Sequence, residues 1–157
     1  MSTPSISEFK DAVGRFATGV VVVTAQTPNG PAGFTCQTFG SLSLEPQLVT
    51  FAAAVDGRSW SQVRAHGVVG INILASDQVE AARRFATTGA DRFGSGEWTT
   101  GPAGSPLLVG AIAHVEGPIV AVRAHGDHEV AIVQADFVAV YDGEPLVFYR
   151  AGFSALA

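Results

Sequence analysis

LLVGAIAHVEGPIVAVRAHGDHEVAIVQADFVAVYDGEPLVFY, residues 107–149, decides the fold. Aliphatic and β-branched residues fill four runs, 107–113, 114–124, 128–140 and 145–149, and glycine-containing turns separate them. Runs of this composition and spacing read as strands, and connections too short for a helical crossover make neighbours antiparallel. Toward the N-terminus, residues 69–73 alternate Val69, Ile71 and Ile73 with Gly70 and Asn72, and 48–54 is an apolar run that follows Pro46. Residues 20–25 are continuous and β-branched, the pattern of a strand covered on both faces. The turn Pro28-Asn29-Gly30-Pro31 returns that strand into 32–37 as a hairpin.

Three helices fit between these strands. Residues 5–17 place Ser5 and Glu8 at capping-box spacing, repeat Ile6, Phe9, Ala12, Val13 and Phe16 at helical intervals, and stop at Gly19. Ser59 and Gln62 open a short helix that ends at Gly67. Ser76 caps a third to about residue 85, with Asp77 and Glu80 near its start and Arg83 and Arg84 near its end, as the helix dipole favours. Residues 87–106, rich in Gly, Thr, Ser and Pro, form a long loop, and loops of that length inside one domain usually serve function. The expectation is a mainly β fold with a few helices: about seven strands in a largely antiparallel sheet closed into a barrel, as one domain over residues 1–157.

Composition narrows the chemistry. Of 157 residues 47% are hydrophobic and 15% charged, against roughly 25% charged in an average soluble domain. Disordered chains show the opposite balance. With few charges to coat the outside, some apolar surface is expected to meet another subunit or a flat ligand. Nine basic and 14 acidic side chains give a net charge of −5 with no basic cluster, which argues against a nucleic-acid footprint. No apolar run approaches the roughly 20 residues of a membrane span, and the first ten residues lack the pattern of a signal peptide. Cys36 is the single cysteine, so an internal disulfide and a Cys-rich metal site are excluded. The expected location is the cytoplasm. Lys10 is the only lysine and lies outside any Gly-rich phosphate loop, which disfavours pyridoxal chemistry and P-loop hydrolysis. The signatures GxSxG, HExxH and GxGxxG are absent.

Several segments carry polar groups that suit ligand binding, and each has a plainer alternative. Residues 33–46 hold Thr35, Cys36, Gln37, Thr38, Ser41 and Ser43 before Pro46. Hydroxyls and converging amides in such a segment hold a phosphate without lysine, or merely make local turn hydrogen bonds. Arg58-Ser59 neutralises a phosphate near a helix start, or is solvated. His125 and His128 flank Asp127, but only His114 remains to complete a metal set and no spacing identifies it as a ligand. His128 at a strand mouth is a turn residue or a functional one. Arg83-Arg84-Phe85 and Asp91-Arg92-Phe93 read as a cationic helix end with core aromatics. Trp60 and Trp98 read as packing residues, and Phe153 as packing or as a cover for a planar ligand. Nothing places a base beside Cys36, which reads as a small core or backbone-contact residue.

Taken in order, these segments resemble the short-chain flavin reductase family, the reductase components of two-component flavin-dependent monooxygenases. The resemblance rests on Phe16-Ala17-Thr18-Gly19 with Val20 to Val23 and Thr24, on the segment 33–46, on Ile71-Asn72-Ile73-Leu74, on Arg84-Phe85 with Asp91-Arg92-Phe93, on Gly104-Ser105-Pro106-Leu107-Leu108, on Gly126-Asp127-His128 and on Pro145 to Tyr149. It covers about residues 8–156, and its specificity lies in the ordered set. The chain departs from the family pattern at Pro46-Gln47 and Val133-Gln134.

The resemblance implies an FMN-binding split β-barrel, antiparallel and Greek-key-like, that binds FMN or FAD and takes hydride from NADH or NADPH. A homodimer with flavin near the interface and a partner monooxygenase that receives reduced flavin are implied with it. Carried over by position, Thr35, Cys36 and Gln37 lie along the flavin ring edge, and Ser41, Ser43, Arg58 and Ser59 hold its phosphate. Arg84 and Phe85 contact the rest of the nucleotide, Phe153 closes the pocket, and His128 faces the nicotinamide as the catalytic residue. No metal is implied. The alternative function is a flavin-binding barrel that stores, carries or senses flavin without reducing it; a third keeps the barrel for a deazaflavin or a haem-type ligand.

Overall fold

Ser5 opens the first helix as its spacing requires. In the computed structural model, which describes residues 1–157, its hydroxyl accepts from the Glu8 amide and the Glu8 carboxylate accepts from the Ser5 amide. Helix α1 runs Ile6–Val13 and buries none of its residues. The hairpin around Asn29-Gly30 joins β2, Val21–Thr27, to β3, Gly30–Cys36, and a two-residue strand β1, Thr18–Gly19, precedes it.

Beyond β3 the chain forms β4, Gly40–Leu44, and turns at Glu45-Pro46 into β5, Gln47–Ala54. Helix α2, Arg58–His66, ends on Gly67 in the left-handed region, and β6 follows at Val68–Ile73. Helix α3 spans Val79–Ala86. Next come β7, Trp98–Thr100, β8, Pro106–Leu108, and the long β9, Ala113–His125. The remaining strands are β10, His128–Gln134, β11, Phe137–Val140, β12, Leu146–Tyr149, and β13, Gly152–Ala155.

The main sheet is antiparallel in the order β3-β2-β6-β9-β10-β5-β4, with β11 also on β9. Strand β9 is the corner. Its first half pairs with β6 and β11, and its second half, from Ile119, pairs with β10. Gly117 makes the corner possible, because a Cβ there would fall 1.8 Å from the Gln134 carbonyl oxygen. The run 128–140 therefore breaks into two strands instead of continuing as one.

The expected closed barrel is not closed. Strands β3 and β4 are consecutive in the chain, yet they stand at opposite edges of the sheet and do not pair. The barrel is split along that seam. Strand β2 is covered on both faces, as its continuous apolar run requires: Val21, Val23 and Ala25 point into a core with Phe51, Trp60, Val63, Ile71 and Val133, while Val20 and Val22 face a second core with Leu74, Ala82, Phe85 and Leu108. Buried Asn72 binds the two layers, its amide donating to the Val22 carbonyl at 2.9 Å and its oxygen accepting from the Leu108 amide at 2.7 Å.

Two expected caps are not caps. Gly57, not Ser59, is the N-cap of α2, and Gln78, not Ser76, is the N-cap of α3. The loop at 87–106 contains β7, paired with β8, and the strand expected over 107–113 ends at Leu108 because Gly110 turns with positive φ. No helix is long and apolar enough to cross a membrane.

Candidate functional site

Where the end of β3 faces the end of β5 lies a cleft of about 960 Å³, at the upper end of the roughly 300–1,000 Å³ range of small-molecule sites. Its floor is Phe34, Ala53 and Trp60; one wall is the end of β3 and the residues after it, and the opposite wall is the end of β5 with His128. Phe34, Phe51 and Trp60 pack edge-to-face or tilted at 5.6–6.1 Å between centroids, which makes the floor rigid. Glu129, itself buried, holds Trp60 from behind by accepting from Nε1 at 3.2 Å, and it also accepts from Arg64 at 2.6 Å.

At one end of the cleft, helix α2 begins at Gly57 without a side-chain cap, so its first-turn amides are available to an anion. Arg58 is exposed there and Ser59 is half-buried. Arg92 reaches in from the loop after α3. Its guanidinium donates to the Ser59 hydroxyl at 2.6 Å, the Gly33 carbonyl at 2.7 Å and the Thr87 carbonyl at 3.2 Å. Neither Arg58 nor Arg92 has a carboxylate within ion-pair distance. Burial pulls Arg92 below the ordinary arginine value, yet the guanidinium stays charged. The result is a desolvated cation paired only with neutral acceptors. Because Ser59 Oγ accepts from Arg92, its own proton is free to donate into the cleft.

Phe153 on β13 also lines the cleft and sits directly across from Phe148 on β12, 5.4 Å between centroids. The tight turn that brings them together puts Arg150 and Ala151 at positive φ. His128 lies on the wall where β10 starts, opposite Ala54. Its Nδ1 is 2.7 Å from the Asp127 carboxylate, and that contact holds the exposed Asp127 carboxyl below the usual range. Burial pushes the Cys36 thiol up, opposed by the Thr38 hydroxyl and neighbouring backbone amides, so it is a protonated thiol at neutral pH and not a nucleophile.

Thus the fold brings Thr35, Cys36, Gln37, Arg58, Ser59, His128 and Phe153 to one cleft. It does not bring the other four. Ser41 and Ser43 lie on β4, an edge strand, and do not line the cleft, because residues 33–46 form the end of β3, a three-residue connection and β4. Arg84 turns away to donate to the Arg92 and Ser95 carbonyls. Phe85 is 1% exposed, packed against Phe93 and Trp98, and Gly33 has no room for a Cβ beneath it. Thr38, Asp56, Thr88, Arg92 and Phe148 also line the cleft. Thr38 stood in the polar segment 33–46 and Arg92 in the run read as a cationic helix end, while Asp56, Thr88 and Phe148 carried no signal of a site, since what brings them to the cleft is packing between distant elements. No cluster of three or more His, Cys, Asp or Glu side chains is placed to hold a metal.

Comparison with known proteins places this geometry in a wider set. Residues 13–157 match the family described as flavin reductase like domain. A flavin-dependent monooxygenase reductase subunit, HsaB, from Rhodococcus jostii is 36% identical over 149 residues, which cover 94% of this chain and 76% of that protein. An NADH-dependent flavin reductase from a Rhodococcus species is 35% identical, over 94% of this chain and 84% of that one. Among solved structures, the Streptomyces globisporus NADH:FAD oxidoreductase SgcE6 in complex with NAD and FAD fragments superposes with a TM-score of 0.91 at 31% identity, covering 96% of this chain and 92% of that one.

Proposed function

The chain belongs to the flavin reductase like domain family, and from that premise we propose that it is an NADH-dependent flavin reductase that passes reduced flavin to a partner monooxygenase. The observation that carries the reading is the cleft, which is lined both by aromatic side chains, Phe34, Trp60, Phe148 and Phe153, and by an uncapped helix start beside an arginine without a carboxylate. A flavin nucleotide is flat and apolar at one end and anionic at the other, so these residues fit it.

A bound flavin and a reduced nicotinamide supply the hydride chemistry. The protein's part is placement. Arg58, Ser59, Arg92 and the first-turn amides of α2 bind phosphate. Thr35, Cys36 and Gln37 border the ring edge, with the Thr35 hydroxyl tied to the Ala82 carbonyl at 2.6 Å so that this wall is anchored to α3. Phe148 and Phe153 exclude water at the mouth. His128, held by Asp127, orients the nicotinamide carboxamide and transfers no proton. Such a division of labour needs neither a nucleophile nor a general acid–base pair.

A homodimer belongs to the same reading. Ile6, Phe9 and Val13 along α1 and Phe16 just beyond its end are 51–79% exposed; this capped amphipathic helix buries no residue within the chain, and a second subunit supplies a partner. So do a single domain over residues 1–157 and a place in the cytoplasm. Oxidation of NADH followed with FMN and with FAD tests the function. Turnover with either flavin is expected; tight flavin binding without turnover would indicate carriage instead.

A further inference from the structure

Thr38 lies in the short connection between β3 and β4, just before the first β4–β5 backbone pair. In the β4–β5 register Gly40 stands opposite Thr50, so two residues further along Thr38 falls opposite Ala52. The backbone does not complete that pair. The Thr38 hydroxyl does it instead, accepting from the Ala52 amide at 2.8 Å and donating to the Ala52 carbonyl at 3.0 Å. The Cys36 sulfur lies 3.0 Å from the same oxygen and 3.6 Å from the Ala52 carbonyl oxygen. One side-chain oxygen therefore makes both bonds that a neighbouring strand's backbone makes in an antiparallel ladder.

We propose that Thr38 is a positioning residue: it extends the β4–β5 ladder by one side-chain rung, ties the wall that follows β3 to the wall on β5, and so sets the spacing where the flavin ring is received. The walls it joins carry Gln37 on one side and Ala52, Ala54 and His128 on the other. The β4–β5 ladder stops at Gly40 and Thr50 and β3 does not pair with β5, so beyond that last backbone pair it is the Thr38 side chain that holds the two walls. The inference rests on the flavin reading of the cleft and assigns a task within it.

Riboflavin, which has the ring without the phosphate, is the probe. Thr38→Val keeps the shape and removes both hydrogen bonds, and it is expected to raise the dissociation constants of riboflavin and FMN by the same factor, roughly 5–10-fold, as loss of one or two hydrogen bonds implies. Thr38→Ser keeps the oxygen and restores both affinities. Thr24→Val removes a buried hydroxyl that donates to the Pro106 carbonyl at 2.6 Å away from the cleft, so it costs stability and leaves riboflavin affinity unchanged. In the wild-type chain, without any substitution, the Ala52 amide exchanges slowly. Riboflavin affinity within twofold of wild type in Thr38→Val, no rescue by serine, an equal loss in Thr24→Val, or fast exchange at Ala52 would each overturn the pin alone. A wild-type chain that binds neither riboflavin nor FMN would overturn the flavin reading and the pin with it.

Discussion

Arg92→Gln separates phosphate binding from ring binding. The substitution keeps a polar side chain in the loop and removes the charge. Ser59 Oγ lies 2.6 Å from the Arg92 guanidinium, and a phosphate oxygen that accepts from Ser59 adds about 2.7 Å, so the two charges stand at most about 5 Å apart. At that distance and an effective dielectric of about 20 the attraction is roughly 3 kcal/mol per unit charge. Arg92 is half-buried, and solvent screening reduces the figure to about 1.5 kcal/mol, or about a tenfold change in affinity. FMN is therefore expected to bind about tenfold more weakly to Arg92→Gln, with riboflavin changed less than threefold. Titration of the two flavins by fluorescence quenching, at matched low salt, measures both. Equal losses for the two would refute the reasoning, since Arg92 would then be a strut between Gly33, Ser59 and Thr87 and nothing more.

Other outcomes follow from the same geometry. His128→Ala is expected to raise the KM for NADH at least fivefold while leaving the flavin dissociation constant within twofold; steady-state kinetics with a binding titration separate the two. Burial raises the Cys36 thiol above its unfolded value, so the stability it contributes is complete below the unfolded value and is lost as pH rises through the folded one. Wild type should lose stability at alkaline pH more steeply than Cys36→Ala in denaturant titrations, and alkylation of the native thiol should be slow at neutral pH. Gly117→Ala places a methyl against the Gln134 carbonyl at the corner of β9; a loss above about 3 kcal/mol is expected, read as a fall in melting temperature or failure to fold.

Much of the fold was legible because its signals are local. The capping box at Ser5 and Glu8, the Asn29-Gly30 hairpin, the doubly covered run from Val20 and the turn at Gly126 each depend on a few neighbouring residues, and each stands as read. Ser59 and Ser76 had the residue type of a cap, but the chain enters each helix elsewhere and puts Ser59 to other use as the acceptor for Arg92. Strands β4 and β13 are short edge segments whose exposed, mixed composition resembles loop.

Sequence by itself determined a mainly antiparallel β chain with little charge, one lysine and one cysteine, and with its ordered motifs it pointed to flavin. Those properties are carried by composition, periodicity and short-range spacing, which do not depend on how the sheet curls. The resemblance already implied a split barrel; tertiary structure alone decided that β3 and β4 are the unpaired edges, that the cleft forms where the ends of β3 and β5 face each other, and which polar groups line it. Arg92 enters the cleft, Arg84 turns out and Phe85 is buried because α3 packs its apolar face on β2 and β3. Thr38 meets Ala52 because the register of β4 on β5 places them opposite, and such register is a property of paired strands that no single segment contains.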